Sequence, residues 1–532
     1  MNRRIFFGLP VFVLVLALSL CIMNGQAEAG ILQLTEDTSS STIERIYPAI
    51  DLQGRVAWSE IGSDGSCNVK YYNGQTSISV GTGQAIETPL IDRGTVAWQQ
   101  GNNNSGYKIC LYNGQETLDL YNGSQAVWLT SLSNGQVAWL GGSNYSQLYF
   151  YNGQEIINLG ETILSAPYAV SDGKVLWAVR NQSDNTYRLH YYDGAQTCEL
   201  DTIVTSPAPL MEGDKILWAV RDGTGEYTVK LYDGVDTSIV ATGTSLNYSN
   251  LSNGCFLYTE GDYSNGYTVY YYNGQSSRQI GSAGPGTRPN VTVDNGSFAW
   301  CQKNSEGLYE ICYFDGTQVQ TVGTTTNYLY NTLLSNGKVA WYVNSYSGNS
   351  TLWFYDSGQT QEITASGLVS PALCNGLLVW KEWVSWESAN LYVLDNGRKT
   401  LVKEQLSSPY GLLSRAGKVV FTGSNADLYL YQPDGYRQWD SKCTSDRNKE
   451  WNIALSKEVR ASSISGQSVY ITDSGGNKLD SKPYLKESSI VAIPAPSGGY
   501  SPGTYYLYIE TSLTSSSQDS LKEPVKMEFT IE

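Results

Sequence analysis

A motif of the form G-x-V-A-W stands at Gly54–Trp58 and returns, intact or varied, nine more times. Its closing aromatic falls at residues 58, 98, 139, 177, 218, 258, 300, 341, 380 and 421, with spacings of 38 to 42 residues. One large irregular core imposes no such period. A series of equivalent units does, because each repeats the same contacts with its neighbours.

A second mark follows within each period, as YYNGQ (71–75), LYNGQ (111–115), FYNGQ (150–154) and YYNGQ (271–275). The stretch from Ala166 to Ile203 shows one whole unit. A short apolar run leads to the turn Ser171-Asp172-Gly173, then to the β-prone run Lys174–Arg180, a polar loop at 181–185, the run Thr186–Tyr192, an Asp-Gly turn and a last run. Four short strands with three connections fit this order, and no helical period is present. Asn-Gly and Asp-Gly supply the positive φ angles of tight hairpins, so Y-N-G-Q is predicted as a two-residue corner between the third and fourth strands. Four-stranded antiparallel units repeated radially are the blades of a β-propeller, so the expected fold is all-β with about ten blades of about 40 residues each. A single closed ring is expected, with two five-bladed rings as the alternative. Ile31–Thr35 reads as an outermost strand without its own first three, and the tenth unit lacks a strong fourth strand after LYLYQPDG (428–435). The N-terminal strand is therefore expected to complete the last blade. Period-2 alternation puts Val56 and Trp58 on one face, packed between blades rather than forming a row of ligand-binding tryptophans.

The first 29 residues have the three parts of a secretory signal peptide: Arg3 and Arg4, the apolar run IFFGLPVFVLVLALSL, and the small-residue site Ala27–Ala29. A lipid anchor at Cys21 is not favoured, because Leu20 is large where a small residue precedes a lipidated cysteine. No second apolar run is long enough to span a bilayer. The expected product is secreted or extracellular, in association with the cell wall or surface. The leader carries two arginines and Glu28, so its removal takes the formal charge from -16 to -17. Nucleic acid and anionic membranes are poor partners for so acidic a chain. Eight cysteines beyond Cys21 are scattered singly, without the density of a disulfide scaffold. Cys301 and Cys312 flank a hairpin and are the one pair read as a candidate disulfide.

On these marks, residues 31–440 resemble the TolB-like and WD-type propeller repeats of bacterial exported proteins. The resemblance implies the fold and little about function. Past residue 440 the pattern changes. Trp451 and Ile453 before LSKEV, the VYITDSGGN strand and turn, YSPGTYYLYI and the closing MEFTI resemble the bacterial Ig-like domain of S-layer-type, SbsA-like proteins. That resemblance implies a β-sandwich serving as a spacer or display module. The expected layout is a signal peptide at 1–29, a propeller at 30–440, a linker at 441–449 and the Ig-like domain at 450–532.

His190 is the only histidine, at a third-strand position where other units carry Lys70, Cys110, Lys230 or Cys312. Relay or multi-histidine metal chemistry would have to centre on it, and an ordinary strand role is expected. No calcium loop of D-x-D-x-D-G form occurs. The acidic turn RDGTGE (221–226) suits weak Ca2+ binding, and no other cofactor is expected. No Asp/Glu pair stands out from the repeat, so the chain is read as not an enzyme. A secreted polysaccharide hydrolase or lyase using propeller carboxylates is the first alternative, and a purely structural envelope protein the second. The leading expectation is a monomeric binding or display protein that recognises a cell-envelope glycan or surface protein through the variable second-to-third-strand loops. Within them, KEWVSWES (381–388) adds Trp383 and Trp386 beyond the repeat tryptophan Trp380, and these two are the candidate ligand-binding residues.

Overall fold

The structure, a computed structural model, describes residues 30–532 apart from 36–42, 163–168, 182, 184–185, 204–207, 328, 345–348, 386–387, 396–397, 407–411, 424–426, 434–435, 475 and 522–523. Residues 1–29, with the expected leader and Cys21, lie outside the described residues.

Ten four-stranded antiparallel sheets follow one another along the chain. Nine are built from four consecutive strands each: blade 1 at 43–84, blade 2 at 90–123, blade 3 at 128–161, blade 4 at 169–203, blade 5 at 210–243, blade 6 at 246–283, blade 7 at 292–325, blade 8 at 329–366 and blade 9 at 368–406. Blade 10 takes three strands from 412–432 and its fourth from the N-terminal strand Gly30–Gln33. Gly30 pairs with Gln432 and Gln33 with Tyr429.

The V-A-W pattern follows from strand alternation. Val56 and Trp58 enter the seam between blades 10 and 1, whereas Ala57 faces the seam between blades 1 and 2. Val96 and Trp98 enter that seam from the other side. Each large indole thus packs backwards against the preceding blade, and the small alanine makes room for the next blade's tryptophan. Among the described residues the buried apolar side chains form eleven clusters. Ten lie at the ten blade-to-blade seams, from blades 1 and 2 round to blades 10 and 1. At the last seam Val420, Leu428 and Leu430 meet Ile50, Val56, Trp58 and Leu34. Arg415 Nη1 also donates to the Ile50 carbonyl at 3.4 Å there.

Two kinds of turn hold the hairpins. Between first and second strands of eight blades, both central residues have positive φ, as at Asn134 48° and Gly135 77° or Asn336 52° and Gly337 72°. These are two-residue turns of the mirror-image type. The Y-N-G-Q corner corrects the expectation of a two-residue loop. Tyr72 pairs with Ser77, leaving four residues in the turn, and only Gly74 has positive φ (105°). Asn73 acts through its side chain, Oδ1 accepting the backbone N–H groups of Gln75 and Thr76 at 2.8 and 2.9 Å. The Tyr72 hydroxyl donates to the Gly74 carbonyl at 2.8 Å, and Tyr112, Tyr151, Tyr192 and Tyr232 repeat that bond. The aromatic before Asn-Gly is therefore part of the turn.

The eleventh cluster belongs to the C-terminal residues. A four-stranded sheet of Arg437–Thr444, Val525–Ile531, Gly503–Ile509 and Val469–Asp473, in that order, shares its core with a three-stranded sheet of Trp451–Ala454, Ile490–Ile493 and Tyr484–Glu487. Arg437–Thr444 pairs in parallel with Val525–Ile531 and so occupies the first residues of the stretch expected as a linker. All eight described cysteines are free. The Cys301–Cys312 disulfide is excluded by register. Cys312 lies opposite Trp300 and faces the seam of blades 6 and 7, while Cys301 points into the seam of blades 7 and 8. Among the described residues no helix is long and apolar enough to cross a membrane, which says nothing of strands.

Candidate ligand-binding face

Antiparallel order places the first-to-second and third-to-fourth turns on one face of the ring, and the second-to-third loops with the blade-to-blade connections on the other. On the loop face the seams turn polar. Two residues beyond the repeat tryptophan, a side chain accepts its indole N–H: Trp58 to Glu60 at 2.9 Å, Trp98 to Gln100 at 3.3 Å, Trp300 to Gln302 at 3.0 Å and Trp380 to Glu382 at 2.8 Å. At blade 5 the acceptor comes instead from the preceding blade. Asp201 takes both the Trp218 N–H and the Lys230 ammonium at 2.8 Å.

A cleft of about 640 Å³ opens at the loop end of the seam between blades 1 and 2, lined by Glu60, Ser66, Asn68, Thr82, Gln84, Gln100, Ser105 and Lys108. Four glycines, Gly62, Gly83, Gly101 and Gly106, leave its walls without side chains. The Gln100 carboxamide lies where a β-carbon on Gly83 would stand. Lys108 pairs with Asp119 at 2.8 Å, which raises the ammonium above its usual range and lowers the carboxyl below its own. Beside the cleft, the Ser66 hydroxyl and amide hold the Asp64 carboxyl below the usual range. The lining offers amides, hydroxyls and open backbone, with the Lys108 ammonium from the blade 2 wall. Glycoside hydrolysis uses a pair of carboxyl groups. Glu60, the one acid among the lining residues, turns its carboxylate the other way, to the Trp58 indole in the seam of blades 10 and 1.

The residues singled out in the sequence lie elsewhere. Trp383 sits half-buried in Leu377–Ser385 of blade 9; its backbone N–H donates to the Gly367 carbonyl at 3.0 Å, and its side chain lies against Gly367. Trp386 lies outside the described residues, and the neighbouring Val384 is 56% exposed. His190 stacks on Trp177 with ring centroids 5.4 Å apart and faces Glu199 across the sheet. Burial pushes its pKa below the usual imidazole range, against the opposing pull of Glu199. In the acidic turn, Asp222 Oδ1 accepts from the Thr224 hydroxyl and from the backbone N–H groups of Thr224 and Glu226, so this oxygen already caps its own loop. Sequence reasoning missed the cleft because its walls come from five strands of two blades. The available signal was the polar residue two places after Trp58 and Trp98.

No protein-family model matches the chain, and neither does any curated protein. Solved structures do. TolB from Acinetobacter baumannii is matched at 16% identity over 53% of this chain and 79% of that one, with a TM-score of 0.25. PorZ, a bacterial surface component of the type-IX secretion system of Porphyromonas gingivalis, is matched at 10% identity over 92% of this chain and 82% of that one, with a TM-score of 0.24. Pyrococcus horikoshii acylaminoacyl peptidase is matched at 11% identity over 69% of this chain and 59% of that one, with a TM-score of 0.29. Further peptidases are matched too, one through its propeller domain. The expectation that the chain is not an enzyme is thereby corrected: propellers of this kind occur in enzymes, and the fold does not set this chain outside them. At these identities the likeness is one of fold alone, that of a β-propeller.

Proposed function

We propose that this is an exported protein of the bacterial surface that binds a cell-envelope glycan or surface protein through the loop face of its propeller. In this reading the C-terminal region, taken as an Ig-like module over about 450–532, displays the propeller. The observation that carries the proposal is the cleft of about 640 Å³ between blades 1 and 2, on the face where the second-to-third loops vary. Such a site, concave and lined by a few convergent polar groups on a rigid scaffold, is where ligands are recognised. Its alternating donors and acceptors suit a hydroxyl-rich or peptide-like ligand. The leader, the acidic charge and the surface-protein resemblance support the placement outside the cell.

Lys108 lines the cleft and lies opposite Gln100 on the face of blade 2 that looks to blade 1, so Lys108→Trp fills the space at the cost of a surface ion pair alone. The mature protein is expected to be retained by isolated envelope material, and the variant to lose at least tenfold of that retention at an unchanged melting temperature. Equal retention of both proteins removes the cleft from the binding reaction.

A further inference from the structure

Blade 3 carries a tryptophan that the repeat does not call for. Trp128 begins the inner strand Trp128–Ser133, on the loop face where the connection from blade 2 arrives. It is 45% exposed, whereas the repeat tryptophans are buried. Among the described residues its indole N–H has no acceptor. Tyr145, from the second-to-third loop of the same blade, meets it edge-on with ring centroids 6.5 Å apart.

The loop is held in an unusual shape. Asn144 and Tyr145 both have φ of 56°, in the left-handed region that non-glycine residues avoid, and an aromatic residue there is a rarity. Tyr145 packs against the seam of blades 3 and 4, which fixes the strained loop and so the ring that faces Trp128. Backbone strain of this kind collects at sites of function.

The surroundings are uncharged. From Leu120 to Gln154, a stretch of 35 residues, there is no Asp, Glu, Lys, Arg or His, in a chain that is 16% charged overall. The adjoining loop of blade 2, from Gln99 to Tyr107, is also free of charge and includes Asn102, Asn103, Asn104 and Ser105. The two elements touch, Gln99 Oε1 accepting the Leu129 backbone N–H at 2.7 Å. The apolar surface is also small. The other well-exposed large apolar side chain of blade 3 is Ile156, which follows the third-to-fourth corner and so belongs to the opposite face. One aromatic pair ringed by amides and hydroxyls is the width of a single sugar ring, and too narrow for the apolar centre of a protein interface.

We propose that Trp128, set by Tyr145, is a stacking platform for a pyranose ring of an uncharged polysaccharide. Gln99 and Gln100 are neighbours on one strand of blade 2. Trp128 lies opposite Leu140 and so faces blade 4, as Tyr145 does, which leaves the hairpin of blade 2 and the inner strand of blade 3 between the platform and the cleft. A sugar ring on Trp128 is one contact of a chain that lies across the loop face. This deepens the reading of the loop face as a glycan site and rests on it.

The test is affinity electrophoresis of the full mature chain in gels containing hydroxyethylcellulose, xylan, galactomannan or dextran, with polygalacturonate and alginate as acidic counterparts. At least one neutral polysaccharide should retard the protein. Trp128→Ala should weaken that retardation at least tenfold at an unchanged melting temperature, and Tyr145→Ala should weaken it less. Retardation by the acidic polymers alone, or by none of the neutral ones, overturns the proposal. Full retardation of Trp128→Ala with loss in Lys108→Trp overturns the platform and leaves the cleft reading standing. Full retardation of both variants overturns both. Should Trp128→Ala melt early, Trp128→Tyr decides. Retardation within threefold of the parent upholds the platform, and loss in a natively melting variant overturns it.

Discussion

Gly81 has no β-carbon because the Trp98 indole of the next blade occupies that space, and Gly323 yields to Trp341 in the same way. Neither backbone is in the left-handed region, so the constraint is one of volume. A methyl group at either site would meet a rigid, buried ring whose N–H is tied, for Trp98, to Gln100. Overpacking of this kind costs about 1–3 kcal/mol. Gly81→Ala should therefore lower the denaturant midpoint by that amount at an unchanged slope. Gly223, which has open space around it and no positive φ, supplies the control: Gly223→Ala should shift stability by less than about 1 kcal/mol, with stabilisation the favoured sign. Equal losses at the two glycines would show that seam packing is not what Gly81 serves. The glycine is repeated less regularly than the tryptophan because the position takes whatever the facing indole tolerates, including Asp201, which accepts the Trp218 N–H.

Asn-Gly does two different jobs in one blade, and the dipeptide alone does not tell them apart. At Asn336 the backbone is left-handed (φ 52°) and its N–H donates to Asp294 of the preceding blade at 2.6 Å, an arrangement glycine keeps. At Asn73 the carboxamide closes the loop by accepting two backbone N–H groups, which glycine abolishes. Asn336→Gly should then cost no more than about 0.5 kcal/mol, whereas Asn73→Gly should cost about 1 kcal/mol or more, read from urea melts of the two variants. The reverse order would mean that the corner is held by the Tyr72 hydroxyl alone. The sequence shows that a hairpin turns at Asn73-Gly74 and at Asn336-Gly337, because both uses need a positive φ at the glycine. It hides the loop length, since the four-residue form depends on where pairing resumes, at Tyr72 and Ser77, and that register is set by the seam residues on either side. The same limit hid the cleft. Val56, Trp58 and Ala57 announce which faces are buried, but Cys67, Gly83 and Gln100 come together around one cleft only after two blades are side by side.

In the whole molecule, the period near 40 fixes equivalent blades, and the orphan strand at the N-terminus points to the partner that the tenth unit lacks. The contacts that answer this join the two ends of the propeller's chain at one place. Gly30–Gln33 pairs with Tyr429–Gln432, the Leu34 N–H donates to the Leu428 carbonyl at 2.8 Å, and the Leu428 N–H donates to the Thr35 hydroxyl at 3.0 Å. Leu34 is also buried in the seam where blade 10 meets blade 1. Burying one leucine contributes about 1.5–3 kcal/mol, and the strand pairing adds to it. A short segment thus holds together two blades that are far apart in sequence. We expect deletion of residues 30–36 to lower the melting temperature of the propeller by several degrees in one shared transition, because an opened seam exposes Leu428 and Leu430 and releases both neighbouring blades. Leu34→Asp should reproduce most of the drop without shortening the chain. An unchanged melting curve for both variants would mean that the first blade and the last are held by their own seam alone. A new minor transition beside an unchanged main one would confine the strand's role to blade 10.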